Sequence, residues 1–127
     1  RSINLNISLL IAGILTTITA LIHSIAGEVT TIRPLIKADL QQVSKTELRA
    51  DWYMVTIHLF ASAIMLFILA VDTNQNLLMG KFLAIQFLGY GLAFLLLAVF
   101  KKIKVFQVPQ WVLLFLIAGL TFWGVMR

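Results

Sequence analysis

Four long stretches with almost no charged residues constrain the fold of this chain more than any other feature. They cover residues 3–26, 52–71, 77–100 and 108–126, and Lys81 is the one charged side chain inside them. A helix needs roughly 20 apolar residues to cross the hydrocarbon core of a bilayer. The stretches are continuously apolar rather than alternating, which favours helices over barrel strands. We therefore predict an all-α integral membrane protein, a single four-transmembrane-helix bundle over residues 1–127.

The composition agrees with a lipid-embedded chain. Apolar residues make up 61% of the sequence and charged residues 12%, against about 45–50% and about 25% in soluble domains. There is no cysteine, which excludes disulfides, thiolate metal sites and a cysteine nucleophile. The first stretch is too long for the apolar region of a signal peptide, so we expect a retained helix.

The distribution of Lys and Arg predicts the orientation of the chain. The first and third connections carry seven basic residues, whereas the opposite side carries three. The more basic side is expected to be cytoplasmic, so both termini are predicted outside the cytoplasm. The net charge of +5 then reflects this bias and attraction to anionic lipid. It gives no support to nucleic-acid binding. The seven residues are Arg33, Lys37, Lys45, Arg49, Lys101, Lys102 and Lys104, and the three are Arg1, Lys81 and Arg127.

The connections differ in length. Residues 72–76 are expected to form a tight polar turn, and residues 28–51 a long charged connection. Within the long connection, Pro34 is expected to break or kink any preceding helix. Ser44 and Glu47 have the spacing of a capping box, which predicts a helix that begins near Ser44 and runs into the second stretch.

Two histidines are the main candidates for chemistry, because ionisable groups inside a membrane span are costly. His23 lies five residues before Glu28, and His58 lies six residues after Trp52. Both are predicted roughly 8–9 Å below the same boundary, where adjacent antiparallel helices would place them at one depth. Three roles remain open for this pair: hydrogen bonds that hold the bundle, a metal or haem site, and proton or ion handling. The first role is favoured. We therefore expect no cofactor, with haem or a transition metal as the alternative.

Small residues at Gly89 and Ala93 could let helices approach closely within the bundle or between copies.

Further polar residues surround the histidine pair or line another helix. The predicted polar cluster near the cytoplasmic face comprises His23, Ser24, Glu28, Arg33, Arg49, Asp51 and His58. On the third helix, Gln86 and Tyr90 share a face and are expected to form a polar seam, most simply through one interhelical hydrogen bond.

The residues around the first connection resemble a group of small proteins. The element HSIAGE at His23–Glu28, followed by a charged segment and then RADWYMVTIH at Arg49–His58, resembles uncharacterised four-helix bacterial inner-membrane proteins. The resemblance covers the first half of the chain. It implies a multi-pass protein of the bacterial inner membrane and no particular activity.

Three functions follow from these observations as alternatives. The leading hypothesis is a non-enzymatic binding or accessory subunit, with the lipid bilayer and a homo-oligomer or larger membrane complex as partners. The second is an oligomeric transporter or channel, because four helices alone rarely enclose a pathway. The third is a redox protein that would hold haem or a metal at His23 and His58.

Overall fold

The computed structural model describes residues 5–72 and 77–126, and within them the chain is helical, without strands. The all-α prediction is therefore confirmed. Three helices are long and apolar enough to cross a membrane, and the fourth is a shorter apolar helix of 17 residues. We name them α1 (Ile7–Lys37), α2 (Gln42–Val71), α3 (Leu77–Phe100) and α4 (Gln110–Met126). A short 3-10 turn at Val105–Gln107 precedes α4.

The four helices run alternately up and down. At one end, the Asn6 backbone N–H donates to the carbonyl of Ala70 at 2.8 Å, and Gly80 lies beside Val125 and Leu69. The opposite end holds residues 38–41 and 101–109, which connect the helices. Most of the contacts join α1 to α2, α1 to α4 and α3 to α4, whereas α2 and α3 meet at few points. Fully buried core side chains include Leu9, Leu66, Phe87 and Ile117.

The charged connection predicted over residues 28–51 is largely helical, which corrects the sequence-based boundaries. The first helix continues to Lys37 through wide π-type turns at Ile22–Ala26 and Glu28–Ile32. In these turns the N–H of Gly27 bonds to the carbonyl of Ile22, and that of Arg33 bonds to the carbonyl of Glu28. Such turns are rare and commonly mark functional positions.

Pro34 does not break this helix, which was one of the two effects expected of it, because the helix continues to Lys37. It stands near the start of the closing α-helical segment Arg33–Lys37, directly after a π-type turn that already shifts the backbone hydrogen bonds. Proline is tolerated at the first turn of a helical segment because its missing N–H would have no regular partner there. The wide turn therefore accommodates a proline that an uninterrupted α-helix would not.

The second helix begins close to its predicted start. The helix begins at Gln42, two residues before Ser44, and the side chain of Gln41 provides no capping hydrogen bond. It then runs without a break through the second apolar stretch, as predicted. Asp72 follows the last helical residue. The rest of the expected turn at residues 73–76, the first residues of the first stretch, Arg1 and Arg127 lie outside the described residues.

Candidate functional site

His23 packs against the first residue of the second apolar stretch. Its ring stacks on the indole of Trp52, with ring centroids 3.9 Å apart and an interplanar angle of 16°. Its Nε2 lies 3.2 Å from the backbone carbonyl oxygen of Trp52. A carbonyl only accepts hydrogen bonds, so Nε2 carries the proton and donates. Gly27 leaves room for this stack, because a Cβ there would overlap the Trp52 ring.

His58 lies on α2 and faces α3. Its Nε2 is 3.1 Å from the Tyr90 hydroxyl oxygen and 3.4 Å from the Ser62 hydroxyl oxygen. The Tyr90 ring meets the imidazole edge to face at 5.5 Å and 84°, and Phe87 lies 6.2 Å away. In the tautomer that is protonated on Nδ1, Nε2 accepts from the Tyr90 hydroxyl. His58 thus joins two helices that otherwise touch little.

The two histidines do not share a site, and the expectation of matched depth is not met. That expectation placed Glu28 and Trp52 at the same membrane boundary. In the structure Glu28 pairs with Arg49, and Trp52 lies against His23. His58 follows Trp52 by six residues, about 9 Å along the axis and about 240° around it. The extension of α1 to Lys37 moves the turn of the hairpin, and the register of the pairing changes with it.

Glu28 and Arg49 form the one ion pair among the described residues. The Arg49 Nη2 donates to Glu28 Oε1 at 3.0 Å, and both side chains are about one third exposed. The Arg49 Nε donates to the Tyr53 hydroxyl at 3.1 Å, and the guanidinium carbon lies 5.4 Å from the centroid of that ring. This group connects α1 to α2 near the polar end of the hairpin.

The other members of the predicted cluster have separate surroundings. Ser24 donates to the carbonyl of Ala20 in its own helix at 2.7 Å. Arg33 and Asp51 are exposed, and neither forms an ion pair with any residue that the structure describes. The structure therefore divides the predicted cluster into a His23–Trp52 stack, a Glu28–Arg49–Tyr53 group and a His58–Tyr90–Ser62 group.

The Gln86–Tyr90 seam is present in part. Tyr90 makes an interhelical hydrogen bond, and its partner is His58. Gln86 is one turn away, and its side-chain oxygen is buried with no hydrogen-bond partner among the described residues. The indole N–H of Trp52 is also buried and has no hydrogen-bond partner among the described residues. Unpaired buried polar atoms are uncommon, so both mark places where a further donor or acceptor would be favourable.

The sequence did not predict Trp52 as the partner of His23, because Trp52 served there only to mark the start of the second apolar stretch. It also missed Tyr53 as the partner of Arg49, although their spacing of four residues on one helix could have indicated it. Among the described residues, no group of three or more His, Cys, Asp or Glu side chains has a geometry suited to a metal ion. The arrangement is suited to joining helices, and among the described residues it leaves one donor, the Trp52 indole N–H, and one acceptor, the Gln86 side-chain oxygen, for a further hydrogen bond.

Replacing Tyr90 by phenylalanine is expected to lower the free energy of unfolding by about 1 kcal/mol, because it removes the hydroxyl that links α3 to His58. Denaturant titration of the purified protein in detergent measures this change. Tyr53→Phe is the matched control. It removes an exposed hydroxyl within one helix and should cost less than about 0.5 kcal/mol. Equal losses in the two variants would contradict a stabilising role for the His58–Tyr90 bond.

Comparison of the chain with protein-family models, with curated proteins and with solved structures finds no match.

Proposed function

We propose that this chain is a four-span integral membrane protein that acts as a non-enzymatic binding or accessory subunit of a membrane assembly. The observation that carries the proposal is the apolar outer surface. Near the middle of the four apolar stretches, large apolar side chains are exposed on each helix: Ile14 by 45%, Ile64 by 60%, Ile85 by 60% and Leu116 by 50%. A water-soluble monomer rarely exposes continuous apolar surface of this extent.

The interior supports the same proposal. Small and weakly polar residues face inward where the helices meet, among them Thr16, Ser62, Gly91 and Thr121. Thr16 and Thr121 each donate to a carbonyl of their own helix at 2.7 Å. Small inward residues and hydroxyls that bond locally are typical of helices packed in lipid. These two hydroxyls are thus satisfied within their own helices, and the inward faces are left to pack closely.

The fourth helix is the shortest proposed span. Its 17 residues extend about 26 Å, slightly less than the bilayer core of about 30 Å. Val105 and Val108 precede it, and Trp111 near its start donates to the carbonyl of Val105 at 2.9 Å. These residues lengthen the apolar segment, and a small mismatch can be met by local thinning of the bilayer.

A second candidate, an oligomeric transporter or channel, is favoured by the outer faces of α3 and α4. A Cβ built on Gly89 or on Gly119 would meet no described atom within 4 Å. Exposed helical glycines let a neighbouring helix approach closely. The mass of the protein in detergent tests this candidate, and a strict monomer would contradict it.

The membrane proposal predicts that the expressed chain stays in the membrane pellet after an alkaline carbonate wash and is released by detergent. The absence of cysteine allows the orientation to be tested with single cysteines. In bacterial cells, Met126→Cys should react with an impermeant maleimide from outside. Lys101→Cys should react only after the membrane is permeabilised. Recovery as a soluble, monodisperse protein without detergent would overturn the proposal, and the reverse labelling pattern would overturn the orientation.

A further inference from the structure

An open groove lies at the polar end of the α1–α2 hairpin. Its volume is about 480 Å³, within the usual range of small-molecule sites. One stripe of α2 forms most of the wall, and α1 contributes Ile36. Its lining includes Ile36, Lys45, Arg49, Ala50 and Tyr53.

The wall of the groove combines two cations with apolar surface. Lys45 and Arg49 are four residues apart and so lie on the same face of α2. Ile36 and Ala50 add apolar atoms, and the exposed Tyr53 stands on the side that leads into the apolar stretch. A basic end, an apolar wall and an aromatic ring at the boundary match the parts of a phospholipid from headgroup to acyl chain.

The charge of the groove fits a single negative charge. Glu28 neutralises Arg49 through their ion pair, which leaves Lys45 as the excess positive charge. The Lys45 Nζ donates to the carbonyl of Ile36 at the end of α1, and an ammonium group has two further N–H donors. The acidic residues Glu47 and Asp51 lie about 200° around the helix from Lys45 and Arg49, respectively, and point away from the groove.

We propose that this groove binds the phosphodiester headgroup of an anionic phospholipid, with Lys45 as the main contact and Arg49 held in place by Glu28 and Tyr53. The inference rests on the proposed membrane location of the chain. Basic pockets between helices on the cytoplasmic side are a recognised type of site for anionic headgroups. The same phosphate chemistry could come from free phosphate, so the experiment separates the two sources.

The test uses the full chain, purified in a neutral detergent and titrated with phosphatidylglycerol or phosphatidylcholine of equal acyl length. Native mass spectrometry counts the bound lipid. We expect tighter binding of phosphatidylglycerol, and Lys45→Gln should weaken that binding by about fivefold, because the headgroup phosphate loses its charge-assisted contact with the Lys45 ammonium. Binding of phosphatidylcholine should not change. Lys45→Arg should restore the preference.

Two further variants separate a site from diffuse attraction. Lys101→Gln removes a cation at the same end but outside the groove, and should change phosphatidylglycerol binding less than twofold. Ala50→Leu fills the groove without a change of charge and should weaken binding as much as Lys45→Gln does. This second variant also covers the case in which Lys45→Gln disturbs the hairpin, since Lys45 bonds to Ile36.

Three outcomes would overturn the inference: no preference for phosphatidylglycerol, equal losses in Lys45→Gln and Lys101→Gln, or displacement of the lipid by millimolar inorganic phosphate. The last outcome would assign the groove to a free anion. If the preference is absent while the chain still resists the carbonate wash, this inference fails and the proposed function stands. If the chain is released by the carbonate wash, both the proposed function and this inference lose their basis.

Discussion

Replacing Gly91 by leucine is expected to destabilise the protein by about 2–3 kcal/mol, the cost of overpacking a tight core. Gly91 lies where α3 crosses α4. A Cβ at this position would be 2.6 Å from Cε1 and 2.7 Å from Cδ1 of Phe115, closer than real Cβ contacts come. The Phe115 ring also packs edge to face with Trp111 at 6.0 Å. The ring would have to move, and the contact between the two helices would open.

Gly89 provides the matched control for this prediction. It is on the same helix, two residues away and on the exposed side, and no described atom lies within 4 Å of a Cβ built there. Gly89→Leu should leave the free energy of unfolding unchanged or raise it by about 0.5–1 kcal/mol, because leucine is the better helix former. Denaturant titration in detergent, followed by helical circular dichroism, measures both variants. Equal destabilisation of the two variants in monomeric protein would show that the α3–α4 contact is not packed as described.

The helical fold could be predicted from the apolar stretches because the requirement for about 20 uncharged residues is a strong and local signal. The bounds predicted for the third stretch agree with α3, residues 77–100. The extension of α1 to Lys37 could not be predicted in the same way. The charged composition of this segment is typical of a loop, and a proline such as Pro34 usually indicates the end of a helix. The π-type turns that admit this proline depend on backbone hydrogen bonds, which leave no simple pattern in the sequence.

The sequence predicted which residues belong to the candidate site, but it did not predict which of them contact each other. Glu28 and Arg49 were placed at one boundary, and the structure brings them together. The partner of His23 was not predicted, because pairing across a hairpin depends on the position of the turn. A loop over residues 28–51 puts Trp52 level with Glu28, whereas a turn at residues 38–41 puts it beside His23. The prediction placed the two histidines at one depth because it made the first helix too short, and the longer helix separates them.

Replacing Asn6 by alanine is expected to destabilise the protein by about 2–3 kcal/mol, because this side chain makes two contacts at once. Its Oδ1 accepts from the backbone N–H of Leu9 at 3.2 Å and caps the start of α1. Its Nδ2 donates to the carbonyl of Gly124 in α4 at 2.8 Å. A helix cap contributes about 1 kcal/mol. A partly buried interhelical hydrogen bond contributes about as much again, and more if the carbonyl stays unpaired.

Two further substitutions separate the contacts of Asn6. Asn6→Ser keeps an N-cap oxygen but does not reach Gly124, so it should lose about 1 kcal/mol. Asn6→Asp keeps the shape and the cap, but it replaces the Nδ2 donor by an oxygen facing the Gly124 carbonyl. Denaturant titrations at several pH values in detergent measure the losses.

The pH dependence of the aspartate variant is the sharpest part of this prediction. A carboxylate oxygen in place of Nδ2 would face the carbonyl oxygen of Gly124 without a proton between them, and the two oxygens would repel each other. The protonated form can donate to the carbonyl of Gly124. Asn6→Asp should therefore approach the stability of the unchanged protein near pH 4 and fall below Asn6→Ser at neutral pH. A stability independent of pH in this variant would mean that Asn6 acts only as a cap, and the bond between α1 and α4 would lose its assigned role.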